Sequence, residues 1–221
     1  MGASASKALG GLEAERIDDA EIVLDPSHVA SRPTAFLIDY KKLRGKTIIQ
    51  PVDAAGPSMS YVIDNFGTAK LDTYTYTLES GKGKGKVVFL RAQKAVAGAE
   101  EEIEDVRTGR RFHVTSPKGI SYNGPLSKDC LYVYDKATGK EVIRVKLKWT
   151  GAADILRIDG AGAPRKIGFV VASGNPFHHA RSFVAVPAGA DAAFLALVAS
   201  LAHDEVHAAK MPVGAYGPSS Y

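Results

Sequence analysis

The residues best placed to do chemistry stand at the start of the chain. Met1-Gly2-Ala3-Ser4-Ala5-Ser6-Lys7 fits M-G-x-x-x-[ST], the N-myristoylation pattern. Loss of Met1 leaves an unhindered Gly2 amine for acyl transfer, and the small residues behind it can thread a transferase. A secretory signal would need an apolar run of about 7–15 residues, and none follows. A single myristoyl chain holds a membrane only marginally, so stable attachment takes a second signal. Two basic runs are candidates: Lys41, Lys42, Arg44 and Lys46, and then Lys82, Lys84 and Lys86 alternating with glycine. Such clusters attract anionic lipid, phosphate or RNA. They also occur as solvated loop charge that keeps sheet edges from pairing.

Other reactive side chains make weaker patterns. His203-Asp204-Glu205-Val206-His207 sets two histidines at i, i+4, but its glutamate sits one place late for H-E-x-x-H. With His178-His179 upstream a four-histidine zinc site can be drawn; a polar helix end explains the same residues. Gly160-Ala161-Gly162-Ala163-Pro164 and the Gly81–Lys86 run are glycine-rich, yet neither opens a helix after a strand, as a phosphate loop would. There is no G-x-S-x-G. Cys130, the only cysteine, lies in an apolar strand and reads as a small buried hydrophobe. The catalytic and metal sets are therefore read as empty, with no cofactor.

The elements behind these residues must come from a chain of 221 residues, 45% hydrophobic and 24% charged, which excludes a mostly disordered protein. One cysteine excludes an internal disulfide. The net charge of +4 is too weak to argue for nucleic acid. It is also uneven: residues 1–30 set Lys7 and Arg16 against six carboxylates, so the basic excess belongs to the rest.

From Lys46 onward, short runs rich in Val, Ile, Tyr, Phe and Thr alternate with turn residues. Strands are expected at Thr47–Ile49, Ser60–Ile63, Leu71–Leu78, Lys86–Leu90, Arg110–Thr115, Asp129–Tyr134, Glu141–Trp149, Asp154–Ile158, Lys166–Val171 and Arg181–Val186. Gln93–Glu104 reads as a helix or a long hairpin arm. In Glu141–Trp149, Arg144, Lys146 and Lys148 should face solvent, with Ile143, Val145, Leu147 and Trp149 inward. No clear helix separates the strands, so the sheet should be antiparallel, a sandwich or a barrel.

One helix is plain. After Ala188-Gly189-Ala190-Asp191, which offers an N-cap, Ala192–Ala202 is apolar on every side except at Ser200. A helix apolar all round is buried all round or crosses a membrane. This one is well short of the ~20 residues a bilayer needs. It should sit inside the protein, with the strands wrapped about it, or else cover one barrel mouth.

The run Ser182–Glu205 resembles the last strand and central helix of the LURP-one-related proteins, of the tubby C-terminal-like superfamily. In that family the last strand passes through a Pro-Gly turn and an Asp into a hydrophobic helix, as Val186-Pro187-Ala188-Gly189-Ala190-Asp191 does here. Cys130–Asp135 and Lys166–Val171 fall where the family has its strand–turn–strand units. The resemblance covers about 36–209 and implies a closed antiparallel barrel of about twelve strands around a buried C-terminal hydrophobic helix. Scramblases of the superfamily carry palmitoylated cysteine clusters, which this chain lacks. Tubby proteins bind phosphoinositides through basic residues beside the barrel.

The resulting expectation is a flexible arm over 1–35 with the lipidation site Gly2, a barrel domain over 36–210, and a flexible tail over 211–221. The arm includes a short extended piece at Glu21–Leu24. Lys41, Lys42, Arg44, Lys46, Lys82, Lys84 and Lys86 are the lipid-binding candidates. The function expected is a non-enzymatic, membrane-tethered module for anionic phospholipid or phosphoinositide head groups. A membrane-anchored scaffold domain without lipid recognition is the alternative. The partners expected are an anionic membrane surface and, on the second reading, a protein; nucleic acid is not among them, and the chain should be a monomer. The expected location is the cytoplasmic face of a membrane, with a cytosolic pool.

Overall fold

The computed structural model describes residues 3–14, 16–17, 22–24, 26–41, 46–52, 61–64, 73–80, 87–95, 101–105, 107–115, 128–148, 150–160, 162–173 and 181–202. For a few of these, including 61–64, 73–80, 87–95, Lys41 and Lys46, the backbone alone is described. In chain order come α1 (Ala3–Gly10), a 3-10 turn (Pro26–His28), β1 (Thr34–Lys41), β2 (Lys46–Pro51), β3 (Tyr61–Asp64), β4 (Thr73–Ser80) and β5 (Val87–Ala95). There follow β6 (Glu101–Asp105), β7 (Arg111–Thr115), β8 (Lys128–Asp135), β9 (Glu141–Lys148), β10 (Ala152–Arg157), β11 (Arg165–Ser173), β12 (Arg181–Val186) and α2 (Ala192–Leu201).

Every residue of α2 is buried, as its lack of a polar face requires. Its one hydroxyl, Ser200, donates to the Ala196 carbonyl at 2.8 Å. Asp191 caps the helix: one carboxylate oxygen accepts the Phe194 N–H at 2.9 Å. The other accepts the Leu24 N–H at 3.0 Å. One buried aspartate thus ties the N-terminal segment to the start of the central helix.

The wall around α2 is antiparallel and strictly sequential. Each strand pairs with its neighbours in the chain, and β1 also pairs with β12, Thr34 opposite Val186 and Asp39 opposite Arg181. The closed-barrel expectation needs correcting in the following way. Nine strands, β6 to β12 with β1 and β2, form one antiparallel sheet that is not closed on itself. β2 and β6 are its first and last members. Between them β3, β4 and β5 run as backbone ladders, β2 to β3 and β5 to β6 included. The described side chains that pack with α2 come from the nine strands: Phe36, Ile38, Ile49, Ile103, Phe112, Val133, Val145, Ile155, Val170 and Val184 are among them. The sheet curls, because Phe194 meets the Phe112 ring of β7 at 5.0 Å while α2 also lies against β12 and β1.

Two strands not singled out from sequence complete the sheet. β1 is apolar on both faces through Ala35-Phe36-Leu37-Ile38, so it lacks the alternation that marks a half-buried strand. β6 is the return arm of the Gln93–Glu104 stretch, which is a hairpin rather than a helix.

The flexible arm is the second correction. Residues 3–10 form a helix, with Ala5 and Ala8 fully buried. Ala8 packs with Ala152, Phe169, Val171 and Ala185 on the outer face of β10–β12, flanked by Leu9, Leu12 and Phe183. The cause lies in the sheet. β11 and β12 are buried on both faces, which leaves an apolar outer surface that must be covered. Farther on, Ile17 N–H donates to the Ala188 carbonyl at 2.8 Å, and Ala30 N–H to that of Ala190 at 2.9 Å. Ile22 and Leu24 are buried; of the extended piece expected at Glu21–Leu24, Glu21 lies outside the described residues, Ile22 is in a 3-10 turn and Val23 and Leu24 are in no strand. The tail at 211–221 lies outside the described residues.

Asp191→Ala orphans two buried N–H groups, each worth about 1–3 kcal/mol. Urea unfolding should show a loss of roughly 2–4 kcal/mol, with Asp191→Asn losing clearly less because an oxygen remains for Phe194. Equal losses for the two variants would remove the carboxylate from its role as clamp.

Candidate functional site

Strand direction gives the sheet two ends. At the lysine end β1 turns back into β2, with Lys41 opposite Lys46, β11 stops at Ser173 and β12 starts at Arg181. At the cap end β12 runs on into α2, and residues 17–30 lie across the entry.

α1 lies along the outer face and starts at the lysine end. Ser4 Oγ is 3.1 Å from Ser173 Oγ, at the last residue of β11. Gly11 passes so close to Phe169 that a Cβ there would overlap the ring. The same ring carries two ammonium groups, Lys166 Nζ at 4.6 Å and Lys148 Nζ at 5.0 Å from its centroid. Asp154 stands between them, 2.7 Å from Lys166 and 2.9 Å from Lys148. Glu13, just beyond α1, comes within 3.6 Å of Lys166. α1 is therefore held by small-residue packing, by the Phe169 face and by a charged bracket beside it.

The expected site residues fall as follows. Gly2, Lys42, Arg44, Lys82, Lys84 and Lys86 lie outside the described residues, as do Trp149 and the four histidines. Lys41 and Lys46 form the last backbone pair of the β1–β2 hairpin, beside the β12 start at Arg181. Lys46 is also in register with Asp64 of β3. β4 ends and β5 begins, Ser80 opposite Val87, at the cap end. Those two strand ends therefore lie at the end away from Lys41 and Lys46.

Several described cations of the cap end pair with carboxylates. Asp105-x-x-Thr108-Gly109 and Asp135-x-x-Thr138-Gly139 form two similar hairpin turns, with glycine at φ 70° and 68°. In each the aspartate accepts the N–H two residues on, at 3.0 Å, and bonds the threonine hydroxyl. Arg110 reaches from the first turn to Asp135 of the second at 2.8 Å. Lys136 reaches Glu102 at 2.7 Å, Arg111 lies between Glu102 and Glu104, and Arg165 meets Asp159 at 2.8 Å. Burial alone would push the Asp135 carboxyl up. The Arg110 guanidinium and the N–H groups of Thr138 and Ala137 outweigh it and hold the carboxyl below its ordinary value.

A third group sits on the outer face of β7–β9. Arg144 binds Glu141 at 2.7 Å, lies 3.5 Å from Asp129 and stacks 5.4 Å from the centre of Tyr132. The Glu141 hydrogen bond makes the guanidinium more basic still. Burial, then the Asp129 charge and hydrogen bond, raise the Tyr132 hydroxyl. Burial and Glu141 raise Tyr134. Both phenols therefore stay protonated at neutral pH, as donors and stacking faces. Arg144, Lys146 and Lys148 do alternate outward, with Ile143, Val145 and Leu147 buried.

Among the described residues no group of three or more His, Cys, Asp or Glu could hold a metal ion, and no helix is long and apolar enough to cross a membrane. No protein-family model, curated protein or solved structure matches the chain.

The α1 contact was missed in the sequence although its signal is there: Ala5, Ala8, Leu9 and Leu12 recur at i, i+3, i+4 and i+7. The repeated D-x-x-T-G spacing, thirty residues apart, was likewise readable. The Lys148–Asp154–Lys166 bracket was not, because it depends on the pairing of three strands.

Asp135 supplies a pH test. Its carboxyl is depressed in the fold, so its contribution is complete above the ordinary 3.8 and is lost as pH falls through the lower folded value. The stability gap between wild type and Asp135→Asn should be wide near neutrality and narrow in acid below that value. A gap that does not change with pH would mean the carboxylate charge is not what holds the two turns together.

Proposed function

We propose that this chain is a membrane-tethered, non-enzymatic binding module that recognises anionic phospholipid, and that its kinship is with the LURP-one-related proteins. The observation that carries the reading is the shared end: Ser4, two residues from Gly2, lies against Ser173, where β1 and β2 also bring Lys41 and Lys46. A myristoyl chain alone gives reversible attachment. Each lysine or arginine at an anionic surface adds about 1 kcal/mol. An acyl chain and four cations at one end can therefore engage one bilayer together, which makes attachment stable and sensitive to lipid charge. On this reading the protein is a monomer on the cytoplasmic face of a membrane, with a cytosolic pool, and phosphoinositides are among its anionic targets.

The scaffold alternative draws on the Arg144–Tyr132–Tyr134 face, where half-exposed aromatic and charged groups lie side by side. Lipid charge separates the two readings. Glutamine at Lys41, Lys42, Arg44 and Lys46 should weaken binding of the acylated chain to phosphatidylserine vesicles by orders of magnitude at low salt, with little change on phosphatidylcholine. Raised salt should mimic the substitutions, since exposed charges are screened. Undiminished binding by the quadruple variant would favour the scaffold. Gly2→Ala should move the protein from membrane to cytosol, and an unacylated Gly2 in a cell that has the transferase would remove the anchor from this reading.

A further inference from the structure

We propose that the outer face of β10–β12 is a groove for a short acidic helix of small residues, held closed by α1 until a partner helix of the same chemistry displaces it. The sheet has a hydrophobic cluster on each side. The inner one surrounds α2; the outer one is Ala8, Ala152, Phe169, Val171 and Ala185, and no residue belongs to both. α1 can therefore lift as a unit of its own without opening the interior. It is held lightly. Only Ala5 and Ala8 of its residues are buried, whereas every residue of α2 is. Among the described residues α1 has no backbone hydrogen bond to the sheet. Its polar ties among them are Ser4 to Ser173 and, just past the helix, Glu13 to Lys166. Eight residues are fewer than the ~12–15 that hold a helix alone in water, so α1 melts as it lifts. The Ile17 bond to the Ala188 carbonyl stops the release there.

The groove specifies its occupant. Gly11 rides so close to Phe169 that a Cβ would overlap the ring, and Ala8 packs among Ala152, Val171 and Ala185, so bulk is refused at both positions. Two ammonium groups, Lys148 and Lys166, lie over the Phe169 ring, and one carboxylate, Asp154, serves both. The Lys166 side chain is only 6% exposed, so little water balances the remaining charge. Glu13 brings the second carboxylate, 3.6 Å from Lys166 and itself 72% exposed. The occupant is therefore a helix written Ala-x-x-Ala-x-x-Gly-x-Glu, as Ala5, Ala8, Gly11 and Glu13 are spaced here. When α1 lifts, Lys166 loses that carboxylate and the Phe169 ring loses its cover. A helix from another protein with the same small face and the same trailing acid restores both.

The probe is a synthetic peptide of residues 3–14, added to the isotope-labelled full chain, with the Val171 and Ala185 amide signals reporting its seat. In wild type the peptide competes with a tethered α1, so its apparent affinity falls by the fraction of chains in which α1 is released. Ala8→Asp sets a carboxylate into the outer cluster and empties the groove. That chain should bind the peptide at least about tenfold more tightly than wild type, with α2 amides as protected from hydrogen exchange as before. A peptide carrying Gly11→Leu should not bind. One carrying Glu13→Lys should bind about threefold more weakly, and less so at high salt. Exchange in wild type serves if Ala8→Asp fails to fold: the amides of residues 5–12 should exchange at least about a hundredfold faster than those of α2. The proposal is overturned if residues 5–12 exchange only together with α2. It is overturned equally if the peptide leaves Val171 and Ala185 unmoved in folded Ala8→Asp, if that chain and wild type bind it alike, or if the Gly11→Leu peptide binds as well as the native one.

Discussion

A helix without a polar face has to be covered on every side, and most of this structure answers that demand. α2 offers alanine, leucine, valine and phenylalanine around its whole circumference, and each is buried. Packing such a cylinder takes a sheet long enough to curl, with an inward apolar residue at every other position. It also takes a start that is not left open. Asp191 meets that need twice, toward the helix and toward Leu24, so cap and core are one construction.

The sheet that encloses α2 raises a second demand. Where β11, β12 and β1 carry apolar residues on both faces, the outer surface must be covered as well. α1 does so with side chains too small to hold the backbones apart. Elsewhere the outer face is polar, and its charges are balanced locally: Arg144 with Glu141, Lys148 and Lys166 with Asp154, Arg110 with Asp135. The N-terminal residues are thereby part of the folded body, and the position of the first residues is a property of the fold.

Sequence revealed what depends on local pattern. The buried C-terminal helix, its Asp191 cap, the Asp135–Lys140 turn and the outward alternation of Arg144, Lys146 and Lys148 all follow from period and turn chemistry. What escaped was set by contacts distant in the chain. β1 has no alternation because its second face, with Ala35 buried and Leu37 partly so, is also covered. α1 reads as an alanine- and serine-rich arm until the surface of β11 and β12 is known, more than 150 residues away. That the strand ends flanking the two basic runs lie at opposite ends of the sheet follows from counting strand reversals. Only β2, β3 and β4 lie between the two runs, and all three are marked in the sequence, so that count was open to the sequence as well.

The pairing of β1 with β12 has a consequence for how the molecule is made. Thr34 meets Val186, and α2 comes later still. A chain emerging from the ribosome can pair consecutive strands as they appear, but it holds neither the partner of β1 nor the helix that fills the interior until nearly all of it has been synthesised. Contacts of such long separation are slow to form, because the loop they close must be ordered before they stabilise anything. Throughout that interval inward-facing valines and isoleucines and an unpaired strand edge stand open to neighbouring chains. Premature termination anywhere before α2 leaves a sheet with no filling, a product suited to chaperones or proteases and not to a shortened native form.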